Sequence, residues 1–128
     1  MIALITDFGS TDIYVGVMKG VILSIYPNAR LIDISHDIQP QNVREGAFAL
    51  LNSYRYFPEG TLFLTVVDPG VGSSRKPVAV QAGRYTFVAP DNGVLSYVLY
   101  EIRDAFAVEL NNPTYQMAAV SSTFHGRD

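Results

Sequence analysis

Three short segments of this sequence combine carboxylate, guanidinium or imidazole side chains with glycines. They are residues 6–12 (TDFGSTD), residues 65–75 (TVVDPGVGSSR) and residues 123–128 (TFHGRD). A carboxylate or an imidazole can accept a proton, an arginine can stabilise negative charge, and a glycine lets the backbone approach a ligand closely. These residue types are therefore the ones expected in a site for a small molecule.

The first segment follows an apolar run and precedes residues of helical period, which predicts that Asp7 lies at the carboxyl end of a strand. Ligands of open α/β sheets bind at that edge, where a carboxylate can hold two ribose hydroxyls beside the free amides of a helix. Asp7 is thus a candidate sugar-binding residue. The alternative is that Asp7 and Asp12 only organise the turn and cap the helix, and the spacing favours neither interpretation.

The second segment predicts a buried strand that delivers Asp68 to its carboxyl end, followed by a Pro-Gly-Val-Gly loop that leads to Arg75. The glycines of this loop allow the backbone to approach a ligand, and the carboxylate and guanidinium can pair. An ordinary ion pair on a surface loop is the alternative, and by itself it is the commoner outcome.

The third segment places His125 between Phe124 and the pair Gly126 and Arg127. A single histidine is more often a packed or surface residue than a catalytic one, and only these neighbours favour a role in a site. The one other histidine is His36. No two histidines or carboxylates have the spacing of metal ligands on one helix face, so no metal site is predicted.

Short apolar runs alternate with segments of helical period, which is typical of βα units around a buried sheet. Most runs are apolar on both faces, as expected for strands that helices cover on both sides. The predicted strands are residues 2–5, 31–34, 62–67, 78–80, 86–88 and 106–110. The sequence therefore predicts an α/β fold of three layers, with a central, largely parallel sheet and helices on both faces.

Three helices are predicted between these strands. The first presents one broad apolar face, formed by residues at i, i+4 spacing with three more beside them: Ile13, Val17, Val21 and Ile25, and Tyr14, Met18 and Ile22. The second begins with Asn42 and Glu45, spaced as in a capping box, and the third covers residues 94–102. Gly83 and Arg84 join two strand-like runs as a tight hairpin would, so part of the sheet is predicted to be antiparallel.

Composition limits the classes of protein to which the chain can belong. Its 128 residues, 48% hydrophobic and 16% charged, are typical of one globular domain. The absence of cysteine excludes disulfide scaffolds, zinc ribbons and thiol nucleophiles. A formal charge of -3 with scattered basic residues argues against a nucleic-acid partner, and no apolar stretch approaches the roughly 20 residues that cross a membrane. No signal-peptide pattern follows Met1, so we expect a cytoplasmic protein.

Six short strings, in this order and over almost the whole chain, resemble the adenosine-forming S-adenosylmethionine hydrolases. These enzymes are relatives of the fluorinases and chlorinases that halogenate the same substrate. The strings are ITDFG at 5–9, DISH at 33–36, FPEGT at 57–61, VDPGVG at 67–72, APDNG at 89–93 and TFHGR at 123–127. Each string alone is weak evidence, whereas six in one order at compatible spacing are specific.

The resemblance implies hydrolysis of S-adenosylmethionine to adenosine and methionine, by attack of water at ribose C5′ and without a cofactor. It implies that Asp68, Arg75 and His125 act on this water, with either Asp68 or His125 as the acceptor of its proton. The substrate-binding residues that it implies are Asp7 for the ribose hydroxyls, Asp12 for the methionine part, Phe124 and Gly126. The halide-using relatives carry other residues at the three water-activating positions, which favours water as the nucleophile here.

Members of the resembled family are about twice as long as this chain and carry a second, β-rich domain after the segment that matches residues 123–128. They form trimers with sites between the first domain of one subunit and the second domain of its neighbour. Residues 1–128 are then expected to be the amino-terminal α/β catalytic domain, without the β-rich domain that completes the site. A non-catalytic module that binds adenosine or supports oligomerisation is the main alternative, and halide-dependent adenosyl transfer is a weaker one.

Overall fold

The computed structural model describes residues 1–128 and contains one six-stranded sheet with three α-helices. The strands are β1 (Ile2–Thr6), β2 (Leu31–Ser35), β3 (Leu62–Val66), β4 (Pro77–Ala82), β5 (Tyr85–Pro90) and β6 (Ala105–Glu109). The helices are α1 (Tyr14–Ile25), α2 (Val43–Ser53) and α3 (Ser96–Glu101). All six predicted strands and all three predicted helices are therefore present, although α3 is shorter than the pattern indicated.

The sheet has the strand order β2-β1-β3-β5-β4-β6. The pairs of β1 with β2, β1 with β3 and β3 with β5 are parallel, whereas β4 pairs antiparallel with both β5 and β6. Gly83 has a φ of +54° in the tight connection between β4 and β5, a conformation that glycine adopts without steric cost. The prediction of a mixed, largely parallel sheet with one hairpin is confirmed.

Side chains alternate along the central strands between two apolar layers. On one face, Leu4 of β1 and Val66 of β3 pack against Met18 of α1. On the other face, Ile5 of β1 belongs to a larger core with Leu50 of α2. Helices thus cover both faces of the sheet, as predicted, and none of them has the length and hydrophobicity needed to span a membrane.

The start of α2 follows its sequence signal closely. The side-chain oxygen of Asn42 accepts a hydrogen bond from the backbone N–H of Glu45 at 3.1 Å, which satisfies one of the free amides of the first turn. The carboxylate of Glu45 accepts from the backbone N–H of Gln39 at 3.2 Å instead of from that of Asn42. The cap predicted at Asn42 is confirmed. The second hydrogen bond of the capping box differs, because the Glu45 carboxylate accepts from Gln39 and not from Asn42.

Two apolar surfaces are more exposed than the sequence predicts. In α1, the side chains that contact the sheet are Met18 and Ile22, whereas Val17 and the preceding residue Ile13 are 40% and 71% exposed. Every residue of β6 is exposed, including Phe106 at 70%. β6 is exposed because it lies at the edge of the sheet. The side chains of α1 that face away from the sheet are exposed because a helix turns only one stripe of side chains toward the sheet on which it packs.

Phe63 of β3 provides a test of this core. It is fully buried, with its ring stacked on that of Phe87 at 5.3 Å between centroids. We expect Phe63→Ala to lower the free energy of unfolding by about 3–5 kcal/mol because it removes a large buried side chain and leaves a cavity. Phe106→Ala, on the exposed edge strand, is expected to change it by less than about 0.5 kcal/mol. Urea denaturation measures both, and equal losses would contradict the core described.

Candidate active site

The three segments that carry ionisable residues meet at the carboxyl end of the parallel strands. Asp7 follows β1 directly, and its backbone N–H donates to the carbonyl oxygen of Val66 at 3.4 Å. Asp68 lies two residues beyond β3. The third segment contacts the same strand, since a methyl group at Gly126 would come within 2.7 Å of Val66 Cγ1. Residues more than 50 positions apart are thus brought to one edge of the sheet, and the placement of Asp7 and Asp68 at strand ends agrees with the sequence pattern.

Asp68, Arg75 and His125 form one contiguous cluster. The guanidinium of Arg75 makes an ion pair with Asp68 Oδ2, and its Nη2 lies 3.2 Å from His125 Nδ1. The side chains of Arg75 and Asp68 are only 10% and 7% exposed. An ordinary surface ion pair, the commoner alternative from sequence, is therefore not what the structure contains. Removing one partner of such a buried pair costs about 3–5 kcal/mol, because the other charge is left unpaired.

The hydrogen bonds within this cluster indicate which ring nitrogen of neutral His125 carries the proton. A guanidinium only donates, so Nδ1 of His125 is the acceptor of the bond from Arg75. Neutral His125 then carries its proton on Nε2 and can donate from that atom. Asp68 differs, since its Oδ1 is buried and no protein group donates a hydrogen bond to it. The atom of the cluster with free capacity to accept a proton is therefore Asp68 Oδ1.

A cavity of about 190 Å³ opens beside this cluster, and we call it the Asp7 cavity. Its two acidic residues are Asp7 and Asp68, and much of its wall is apolar. Tyr14 of α1 stacks on Phe124 in this wall, with 5.0 Å between ring centroids. Small-molecule sites usually enclose about 300–1,000 Å³, so the Asp7 cavity has room for only part of a nucleoside-sized ligand.

The two acidic residues of the first segment have different surroundings. Asp7 lines the cavity, and its Oδ2 accepts a hydrogen bond from the backbone N–H of Gln41 at 2.7 Å. Gln41 has a φ of 64°, a conformation that non-glycine residues rarely adopt, and no feature of the sequence pointed to it. Asp12 is exposed and does not line the cavity, and its Oδ1 accepts from the N–H of Ile13 at 2.6 Å. In this structure Asp12 organises the turn before α1.

A second network, which the sequence did not indicate, supports the loop that carries Asp7. Thr6 Oγ1 lies 2.8 Å from His36 Nδ1, and His36 Nε2 lies 3.0 Å from Asp33 Oδ1. Lys19 of α1 donates to the other oxygen of Asp33 at 2.6 Å. The backbone carbonyl of His36 accepts from the N–H of Gly9 at 2.8 Å. His36 is therefore a buried structural residue that ties β2 to the first segment.

No three histidine or acidic side chains are grouped as they would be around a metal ion. The acidic and imidazole groups are instead divided between the Asp68 cluster and the His36 network. Burial would raise the pKa of Asp33, but hydrogen bonds from Lys19 and His36 outweigh it and hold that pKa below its ordinary value of 3.8. A lowered pKa means that the folded state favours the ionised carboxylate.

The lowered pKa of Asp33 predicts a pH-dependent contribution to stability. This contribution is present above pH 3.8, where Asp33 is ionised in both states, and it is lost as the pH falls through the lower pKa of the folded state. We expect the stability difference between wild type and Asp33→Asn to shrink toward low pH in urea denaturation from pH 7 to pH 3. Asp37→Asn, at a neighbouring exposed position, serves as control. A constant difference for Asp33→Asn would contradict the network.

Gly72 determines how the loop before Arg75 meets the third segment. It has a φ of +77°, and a methyl group there would lie 2.5 Å from the backbone oxygen of Ser122. Gly60 has nearly the same φ, +79°, with open space around it, and it provides a matched control. Both alanine variants pay a conformational cost of about 1–2 kcal/mol, but only Gly72→Ala must also displace the third segment.

We therefore expect Gly72→Ala to speed amide hydrogen exchange in residues 121–128, followed by mass spectrometry, while Gly60→Ala leaves it unchanged. Exchange reports local opening, so the comparison separates a displaced segment from a general loss of stability. Identical exchange in the two variants would show that the close approach of Gly72 to Ser122 does not hold the segment.

Comparison with known proteins identifies relatives along nearly the whole chain. The (R)-S-adenosyl-L-methionine hydrolases of Thermus thermophilus and Methanocaldococcus jannaschii are each 42% identical to it. These matches cover 97% and 100% of this chain but 51% and 49% of the relatives. A fluorinase from an Actinoplanes species is 32% identical over 100% of this chain and 51% of its own length. The chain thus spans about half the length of the curated relatives it matches.

The fold is shared with solved structures. The crystal structure of an uncharacterized conserved protein from Thermotoga maritima superposes with a TM-score of 0.96 at 46% identity. It covers 100% of this chain, which corresponds to 50% of that protein. Residues 2–128 match the family described as the SAM hydroxide adenosyltransferase N-terminal domain. The chain therefore belongs to the SAM hydroxide adenosyltransferase family, of which it contains the amino-terminal domain.

Proposed function

We propose that this chain is the amino-terminal half of an enzyme that hydrolyses S-adenosylmethionine to adenosine and methionine. The observation that carries the proposal is the buried cluster of Asp68, Arg75 and His125, whose Asp68 lines the Asp7 cavity. The names of the 42% identical relatives support the same reaction. Asp7, at the carboxyl end of β1, is positioned to accept hydrogen bonds from ribose hydroxyls.

The reaction places its main demand on the nucleophile. As the oxygen of water forms a bond to C5′, the bond from C5′ to sulfur breaks, and its electron pair leaves with sulfur. The sulfonium becomes the neutral thioether of methionine, so the leaving group needs no acid. The enzyme must instead position the water in line and accept its proton.

Each side chain of the cluster has a part in this step. Asp68 accepts the proton of water through Oδ1, the oxygen that is free of protein partners. Arg75 holds the other oxygen of Asp68 and stabilises the developing hydroxide by its charge. His125, which accepts from Arg75 through Nδ1, presents Nε2–H as a donor that can orient the water.

The complete site, in this proposal, requires more than the present chain. The Asp7 cavity holds about 190 Å³, and the chain spans half of its relatives, so the walls around adenine and the rest of methionine come from a second half. We propose a cytoplasmic homotrimer in which a neighbouring subunit supplies that half.

The proposed reaction uses no metal or organic cofactor, and the proposed partner is a small molecule and not a nucleic acid or a membrane. Asp12 and Phe124 are further proposed substrate contacts, and Gly126 provides a close backbone approach.

A chimeric protein tests the reaction directly. Residues 1–128 are joined to the carboxyl-terminal half of the Thermus thermophilus hydrolase, and adenosine is followed by chromatography after addition of S-adenosylmethionine. We expect Asp68→Asn to lower kcat by at least about 100-fold because it removes the proton acceptor. Asp37→Asn, at an exposed position outside the site, is expected to retain activity. A chimera without adenosine production, or with Asp68→Asn equal to wild type, would overturn the proposal.

The same assay separates the alternative functions. Halide-dependent transfer, the activity in the name of the 32% identical fluorinase, would give 5′-halo-adenosine at high chloride or fluoride. Calorimetry of the chain with adenosine tests for a binding module. Tight binding to the isolated chain, together with an inactive chimera, would favour the module over the enzyme.

A further inference from the structure

The turn after β5 carries the string APDNG at 89–93, and none of its residues belongs to the Asp68 cluster or lines the Asp7 cavity. In the sheet, β5 lies between β3 and β4. Because β3 and β5 are parallel, the turn lies at the same edge as Asp68. The antiparallel strand β4 begins at this edge, with Pro77 paired to Pro90, so Arg75 is close by as well.

The side chain of Asn92 in this turn holds the backbone next to Asp68. Its Nδ2 donates to the carbonyl oxygen of Val67 at 2.9 Å, and its Oδ1 accepts from the backbone N–H of Val94 at 3.1 Å. A carbonyl only accepts and an N–H only donates, so the two bonds fix which end of the amide faces Val67. Asn92 therefore ties the residue before Asp68 to the segment that leads into α3.

The carbonyl of Val67 depends on this side chain. Val67 is fully buried, and it lies beyond the parallel pairs that join β3 to β5, which end at Leu64 and Val88. A side chain thus supplies the hydrogen bond that a neighbouring strand would otherwise donate. A buried carbonyl without a partner is costly, so loss of this bond favours a movement of the peptide toward another donor.

The carbonyls on either side are held by the main chain. That of Val66 accepts from the N–H of Asp7 at 3.4 Å, and that of Asp68 accepts from the N–H of Val71 at 3.2 Å. The bond from Asn92 is the shortest of these three. Together they fix the peptides before and after the Cα of Asp68, and the orientation of these peptides sets the direction in which its carboxylate points.

The same turn holds the other partner of the buried ion pair. The backbone N–H of Asp91 donates to the carbonyl oxygen of Lys76 at 2.7 Å, and Lys76 follows Arg75 directly. The turn is thus bonded beside Asp68 through a side chain and beside Arg75 through a backbone amide. A substitution of Asn92 removes only the first of these bonds, so it tests the placement of Asp68 separately.

We propose that Asn92 is a positioning residue for Asp68. By holding the Val67 carbonyl, it keeps the carboxylate paired with Arg75 through Oδ2 while Oδ1 faces the attacking water. Displacement of a reacting group by about 1 Å is enough to slow a reaction about 100-fold. Asn92 touches neither the water nor the substrate, so its loss slows the chemical step and leaves substrate binding intact. The part in catalysis rests on the proposed hydrolysis, whereas the bond to the Val67 backbone does not.

Hydrogen exchange of the chain tests the bond without turnover. Asn92→Ser removes the donor to Val67, while its hydroxyl can still accept from the N–H of Val94. We expect peptides that cover residues 66–71 to exchange at least about 5-fold faster in this variant than in wild type, with peptides from α2 unchanged.

Asn52→Ala is the matched control for exchange. The Asn52 side chain also donates to a backbone carbonyl, that of Phe48 at 2.7 Å, but on the exposed surface of α2. We expect this variant to leave residues 66–71 unchanged. Wild-type exchange of residues 66–71 in Asn92→Ser, or faster exchange throughout the chain, would overturn the proposal even if the chimera is active.

Kinetics of the chimera test the part that Asn92 has in the reaction. We expect Asn92→Ser to lower kcat about 10-fold and to change KM by less than about 2-fold. Asn92→Asp, which has nearly the same shape and also lacks the donor, is expected to lose as much, and it takes the place of Asn92→Ser should that variant not fold. Asn52→Ala is expected to keep the wild-type kcat. A rise in KM that accounts for the loss would contradict the role.

A double variant separates positioning from a general structural defect. If Asn92 acts through the carboxylate of Asp68, then adding Asn92→Ser to Asp68→Asn should cost less than about 2-fold in kcat. A further 10-fold loss in that background would show that Asn92 acts in some other way. A chimera that makes no adenosine, with exchange of residues 66–71 still faster in Asn92→Ser, would overturn the proposed function but not the bond between Asn92 and the Val67 backbone.

Discussion

The ion pair between Asp68 and Arg75 is the interaction on which the rest of the site depends. Both side chains are almost fully buried, and an unpaired charge at either position would be costly. Arg75 also donates to His125, so the same guanidinium fixes one oxygen of the carboxylate and the proton position of the imidazole. Two atoms of the cluster then remain free to form further hydrogen bonds. Asp68 Oδ1 can accept and His125 Nε2 can donate, and the proposed chemistry depends on these two atoms.

Keeping this pair together requires close contact between segments that are distant in the chain. The loop before Arg75 approaches the backbone of Ser122 at Gly72, and Gly126 lies against Val66 of β3. A methyl group at either glycine would push the loop or the third segment away. The glycines of the two motifs therefore allow the close packing that brings a guanidinium and an imidazole into contact.

Several features of the chain agree with a site completed by another half. The Asp7 cavity is smaller than a nucleoside site, the apolar residues Ile13 and Val17 at the start of α1 are exposed, and β6 is exposed along its whole length. The α/β core, by contrast, is well packed around Phe63 and Phe87. Under the proposed function, the packed core holds the Asp68 cluster in place, and the second half completes the part of the site that recognises the rest of the substrate.

The sequence by itself determined the strands, the hairpin at Gly83 and the cap at Asn42, because these follow from local periodicity and turn chemistry. The resemblance carried by the order of motifs also predicted Asp68, Arg75 and His125 as site residues. Only the tertiary structure decided which stripe of α1 is buried and how His36 supports the Asp7 loop. The physical reason is that each of these depends on contacts between strands and loops far apart in sequence, which periodicity along one segment does not encode.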